Sequence, residues 1–192
     1  MPESQFEEAS AVDQLLKLGR QVEAYRRASE LAETGNPLAQ VQLGWMYQTG
    51  TGTSANAEQA EKWYRAASSA PSGQAEFFLG TLLRQKRHHE RALRAFVDAA
   101  EKGHVAALYH LGRAYRSGWG GVAKDETKAR RYIEEAARRG HLFARRDVAY
   151  EMISGTHGVH RIPLGVLALV RVLWAGYRVG LKDPDSELAL RL

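Results

Sequence analysis

Seven histidines, at positions 88, 89, 104, 110, 141, 157 and 160, are the side chains of this sequence best suited to metal binding or general acid–base chemistry. Either chemistry needs partners at set spacings: further ligands one helical turn away, or a nucleophile within reach of the base. The sequence does not supply them. His88 and His89 are adjacent and so do not share a helical face, His110 stands alone, and His157 and His160 flank a glycine with no carboxylate spaced as in a metalloprotease helix. His104 and His141 each follow a glycine, a place where a histidine serves as the polar start of a helix. With no cysteine, thiolate chemistry, disulfides and Cys-based zinc sites are excluded. There is no GxxxxGK[ST] phosphate loop and no GxSxG elbow, and "GWGG" at 118–121 does not follow a strand, so a dinucleotide site is not expected either. The expectation is a non-enzymatic protein with no catalytic residues, metal or cofactor.

Arginine and lysine are the other chemically distinctive groups. Residues 1–83 hold 6 basic and 10 acidic side chains, residues 84–146 hold 16 and 7, and residues 147–192 hold 5 of each. The central excess has two readings, a well-solvated surface or an electropositive one that attracts an acidic partner. RNA binding is not expected, because the aromatic residues lack the regularity of a base-stacking repeat. The acidic, polar start "MPESQFEEAS" does not resemble a secretory or transit peptide, which points to the cytoplasm.

The elements that carry these groups are set by an internal repeat. Leu-Gly occurs at 43–44, 79–80 and 111–112, with Val148-Ala149 as a weaker fourth copy, so the copies are 36, 32 and 37 residues apart. Four residues before each pair lies an alanine (Ala39, Ala75, Ala107, Ala144), and four before that a breaker (Gly35, Pro71, Gly103, Gly140). Eleven residues upstream of each breaker is another alanine: Ala24, Ala60, Ala92 and Ala129. Recurrent small residues of this kind let two helices approach closely, which offsets the roughly 1 kcal/mol that a mid-helix glycine costs against alanine. Gly44, Gly80 and Gly112 are therefore expected to be packing residues. Trp63, Tyr64, Phe96, Tyr132 and Ile133 fall at matching places in the partner helices and are expected in the core.

The pattern of Ala39, Leu43-Gly44, Tyr47, Gly50, Gly52, Ala60, Trp63-Tyr64 and Ala66-Ala67, repeated as Ala107, Leu111-Gly112, Tyr115, Gly118, Ala129, Tyr132, Ala136-Ala137 and Gly140, resembles the Sel-one-like repeat, a relative of the tetratricopeptide repeat. The resemblance covers about residues 20–155. It implies an all-α, right-handed solenoid of antiparallel helix pairs, with about four repeats in 1–155 and the first incomplete. Segment 156–192 would add a hydrophobic helix and short cap as a last degenerate repeat. It also implies adaptor work, in bacteria often linked to envelope assembly, exopolysaccharide production or signalling.

In such repeats the first helix of each unit lines the concave side, at offsets −5, −2, +2 and +5 from the leucine. Those offsets select Leu38, Val41, Trp45 and Gln48, then Gln74, Phe77, Thr81 and Arg84. In the later copies they select Ala106, Tyr109, Arg113 and Arg116, then Phe143, Arg146, Tyr150 and Ile153. The candidate partner-binding residues are Trp45, Gln48, Phe77, Arg84, Tyr109, Arg113, Arg116, Arg146 and Tyr150, facing another protein with an acidic segment.

The segment "IPLGVLALVRVLWAGYRVGL", 162–181, is apolar apart from Arg171 and Arg178. As a transmembrane helix it would hold Arg171 in mid-bilayer at a cost of roughly 2.5–3.5 kcal/mol. Its alanines Ala168 and Ala175 repeat the spacing of Ala129 and Ala136, so a last second helix is expected. Arg171, Trp174, Tyr177 and Arg178 would then meet a protein partner, a second copy forming a homodimer, or an anionic membrane surface such as the inner membrane. The alternative function is accordingly a peripheral membrane accessory of an envelope or exopolysaccharide complex.

Overall fold

A computed structural model describes the backbone of residues 3–69, 72–154 and 162–182, and side chains in 6–69, 72–154 and 162–175. Among the described residues there are ten α-helices and no strand: α1 Glu3–Lys17, α2 Gln21–Glu33, α3 Pro37–Thr49, α4 Ala57–Ala66, α5 Gln74–Gln85, α6 His89–Glu101, α7 Val105–Ser117, α8 Glu126–Arg138, α9 Leu142–Ile153 and α10 Ile162–Lys182. They fall into two compact units, Met1–His104 and Val105–Leu192. Within each unit successive helices pack as antiparallel pairs, α7 on α8 and α9 on α10 in the second.

Side-chain acceptors start α3, α4, α8 and α9. Asn36, 1% exposed, accepts from the Leu38 and Ala39 amides at 3.1 and 3.2 Å, Asn56 from Gln59 at 3.0 Å, Asp125 from Lys128 at 2.9 Å, and the Nδ1 of His141 from Ala144 at 3.2 Å. Each satisfies an amide that the first helical turn leaves without a partner. The stops repeat as well. At Gly103 and Gly140 the backbone is left-handed (φ 86° and 96°), and a Cβ there would meet nothing within 4 Å, so glycine is needed for its conformation and not for space. In the short turn between α5 and α6 the same conformation falls on an arginine, Arg87, at φ 61°. Pro71, the breaker of the second copy, lies outside the described residues, and Gly73 (φ 66°) precedes α5 instead.

Mid-helix glycines have the opposite reason. A Cβ on Gly44 would stand 2.7 Å from two ring carbons of Tyr64, one on Gly80 2.8 Å from Phe96, and one on Gly112 2.6 Å from Ile133. Tyr64, Phe96 and Ile133 are each 1% exposed or less, so the pairs are core, as the repeat predicts. Trp63 and Tyr132, expected beside them, are half-buried.

The last pair inverts this contact and corrects the expected register of α10. Ala149 occupies the glycine position of α9, and the glycine moves to the other helix: Gly165, whose Cβ would meet Met152 at 2.7 Å and the Ala149 carbonyl at 3.0 Å. Gly165 and Val172, seven residues apart, are buried where α8 buries Ala129 and Ala136, while Ala168 and Ala175 are only half-buried. Both registers space the buried pair seven residues apart, and only the contact with α9 distinguishes them.

Candidate partner-binding surfaces

In the first unit, α3 and α5 lie side by side. Gln48 joins them: its Oε1 accepts from the Tyr64 hydroxyl at 2.7 Å and its Nε2 donates to Gln85 at 3.0 Å. Its polar atoms therefore tie helices together. Trp45 packs partly onto the core that contains Val12, Leu31, Leu43 and Met46. Phe77 is half-buried, stacked on His104 with ring centroids 4.3 Å apart and tilted against Phe96 at 5.9 Å. Val41 is 3% exposed and belongs to the core. Arg84 is exposed.

In the second unit the corresponding pair is α7 and α9, joined by a polar ladder. The Tyr109 hydroxyl donates to Asp147 at 2.9 Å, and Arg116 donates to Glu151 at 2.5 Å and pairs with Glu126 at 3.5 Å. Arg130 of α8 approaches the other Glu151 oxygen at 3.9 Å, and Arg146 donates to Asp147 at 2.8 Å while lying over the Phe143 ring. Tyr109, expected on the exposed stripe, is 7% exposed, and burial followed by its bond to Asp147 raises the phenol above its usual range. The expected cationic end of the stripe is thus largely neutralised from within. Arg113 and Tyr150 differ from it: both are exposed, and Arg113 forms no ion pair among the described residues. They occupy the same offset, two residues past the Leu-Gly leucine and its Val148 equivalent, on neighbouring helices.

The stripe's −2 position takes two of its aromatic rings into packing. Phe77 and Tyr109 both use it to stack on the histidine that opens the next first helix, His104 at 4.3 Å and His141 at 4.6 Å. Both histidines are accordingly packing groups, His141 also caps α9, and His157 and His160 lie outside the described residues. No group of three His, Asp or Glu side chains among the described residues is placed to hold a metal ion. A recess of about 420 Å³ in the second unit is lined by Tyr115, Tyr132, Lys128, Arg131 and Arg138 together with Glu134 and Glu135, with no nucleophile–base pair in it.

His141 gives the second unit a pH dependence. Burial lowers its pKa, against the opposing pull of Asp147. The unfolded chain, with an ordinary histidine near 6.5, then takes up the proton more readily than the folded one. Stability from this group is complete above about pH 6.5 and is lost as pH falls through the folded value, while carboxylates stay ionised. Thermal unfolding should therefore shift down between about pH 7 and 5, and His141→Asn, which preserves a cap acceptor as at Asn36, should flatten that shift. An unchanged pH slope in His141→Asn would assign the dependence elsewhere.

Comparisons with known proteins find the same kind of helical repeat. The Sel1 repeat family model matches residues 37–72 and 105–141. A putative sel1-like repeat-containing protein of Acanthamoeba polyphaga mimivirus is 27% identical over 84 residues, 44% of this chain and 16% of the viral one. The crystal structure of a Sel1 repeat protein from Oxalobacter formigenes superimposes with a TM-score of 0.73 at 24% identity, covering 100% of this chain and 88% of the other. A protective antigen of uropathogenic Escherichia coli with an SLR fold gives 0.68 at 21% identity, over 79% of this chain and 34% of its own. The chain carries Sel1 repeats at 37–72 and 105–141, and its fold is that of the Sel1 α-solenoids. Sel1 repeats are in general protein–protein interaction scaffolds. Among the described residues no helix is long and apolar enough to cross a membrane.

Proposed function

We propose that the chain is a non-enzymatic scaffold that binds another protein along the faces of its first helices, α3 and α5 in one unit and α7 and α9 in the other. The observation that carries this reading is the pair Arg113 and Tyr150. A cation without an internal counterion and an exposed aromatic ring (54%) stand at equivalent places on adjacent helices, over a floor fixed by the Tyr109–Asp147 and Arg116–Glu151 bonds. Tyrosine and arginine are the residue types that dominate binding energy at protein interfaces. A floor held by internal bonds limits the ordering cost of docking. The matching partner segment presents a carboxylate to Arg113 and an apolar side chain to Tyr150, and in the first unit Arg84 offers a second exposed cation.

Affinity purification with Arg113→Glu/Tyr150→Ala beside the unaltered chain tests the proposal. Proteins retained by the unaltered chain should be lost, with affinity down about 100-fold if each side chain is worth 1–2 kcal/mol. The variant should melt at the unaltered temperature, since neither side chain is buried. Identical retention by the folded variant would remove this face from the function.

A further inference from the structure

Helix α10 departs from the other second helices where they face water. With the buried small residues aligned (Ala60, Ala92, Ala129 and Gly165), the second position onward is Lys62 in α4, Arg94 in α6 and Arg131 in α8, all exposed. In α10 it is Leu167, 50% exposed. The ninth position onward is Ser69, Glu101 and Arg138, again all exposed, and in α10 it is Trp174, 58% exposed. Val170 lies between them at 54%.

These are not the positions that a further repeat would cover. The side of a second helix turned to the next repeat is marked by Arg130, which reaches Glu151 of α9, and its α10 counterpart is Val166. A continued solenoid would bury Val166 and leave Leu167, Val170 and Trp174 in water. An apolar patch of this kind on an outer face calls for another covering surface.

Charge identifies it. Residues 162–182 contain Arg171, Arg178 and Lys182 and no carboxylate. Arg171 is exposed, and the side chains of Tyr177, Arg178 and Lys182 lie outside the described residues. Arg171, one residue past Val170 and four past Leu167, thus borders the Leu167–Val170–Trp174 face. Two copies joined through this face would bring two basic helices together with no carboxylate on either, which disfavours a symmetric dimer. An apolar face with a basic edge and an aromatic ring is the pattern of a helix lying in the plane of a membrane interface. We propose that α10 docks the protein on an anionic lipid surface, with Leu167, Val170 and Trp174 entering the headgroup–acyl boundary and Arg171 meeting lipid phosphate. This attachment is independent of the partner faces on the first helices.

The full chain is tested with phosphatidylcholine vesicles, with and without phosphatidylglycerol, by co-sedimentation and tryptophan emission. Binding should require the anionic lipid, weaken as salt rises, and shift emission to the blue. Trp174→Phe should abolish the shift although Trp45, Trp63 and Trp119 remain. Arg171→Glu should weaken binding about tenfold or more, since each surface charge near anionic lipid is worth about 1 kcal/mol. Leu167→Asn/Val170→Asn should remove the residual binding, and both variants should retain the unaltered helical content. Absence of vesicle binding, equal binding to neutral vesicles, or an emission shift that survives Trp174→Phe would each overturn the proposal. So would a stable dimer without lipid that Leu167→Asn dissociates, because it would assign the face to a second copy.

Discussion

Replacing Gly112 with leucine is expected to lower the melting temperature of the second unit by about 10 °C. A Cβ alone at this position stands 2.6 Å from Ile133 Cγ1 and 3.0 Å from the Ala129 carbonyl oxygen, and the latter is backbone that cannot rotate away. Leucine adds three further carbons to that contact. Overpacking of this kind costs typically 1–3 kcal/mol and occasionally more, partly offset by roughly 0.8 kcal/mol of recovered helix propensity. At about 4–8 °C per kcal/mol for a domain of this size, a net loss near 2 kcal/mol gives the expected shift. Gly112→Ala is the sharper control. By propensity it should stabilise, so any loss must come from the contact with α8. Circular dichroism melts of the two variants decide the matter, and a Gly112→Leu protein that melts with the unaltered one would remove helix–helix approach as the reason for the glycine.

Lys102→Met is expected to destabilise the first unit by about 2 kcal/mol, because it leaves a buried carboxylate without its cation. Glu76 is 7% exposed, and its Oε1 accepts from the Lys102 ammonium at 2.7 Å. The same ammonium also donates to the Ser68 carbonyl, linking the end of α6 to the turn before α5. The other carboxylate oxygen, Oε2, is buried with no hydrogen-bond partner among the described residues, so Glu76 has little to fall back on. Lys102 is a third exposed, which keeps the expectation below that for a fully buried pair. The companion double variant, Glu76→Met/Lys102→Met, should recover most of the loss, since apolar replacement of both members removes the stranded charge. Denaturant unfolding of the two singles and the double measures the coupling, and strictly additive losses would show that the two groups do not support each other.

How much of the molecule was legible in advance depends on the range of the cause. The alternation of Leu-Gly with paired alanines identified the helix pairs and put Tyr64, Phe96 and Ile133 in the core; the structure shows them opposite the glycines, where close helix approach leaves room for only one bulky partner at each crossing. His141 capped its helix as a polar residue after a stop glycine suggested, since a cap bond spans only two or three residues, and Asn36, Asn56 and Asp125 do the same where the sequence analysis named no cap. The candidate stripe was legible only as positions. Among its nine named members, Tyr109 turned inward and Gln48, Arg116 and Arg146 spent their polar atoms on neighbours.

The sequence by itself thus determined the all-helical repeat architecture and the small-residue contacts, because both depend on local period and on which residues lack bulk. Tertiary structure alone decided which cations remain open to a partner. Asp147 and Glu151 lie 38 and 35 residues from the groups they bind, Tyr109 and Arg116, and nothing in the local pattern marks them as counterions. It also decided the register of the last helix. A shift of three residues along an apolar helix moves the buried pair from Ala168 and Ala175 to Gly165 and Val172 without changing its spacing, and only the Met152 side chain and the Ala149 carbonyl of α9, which leave no room for a Cβ, fix which pair lies beneath.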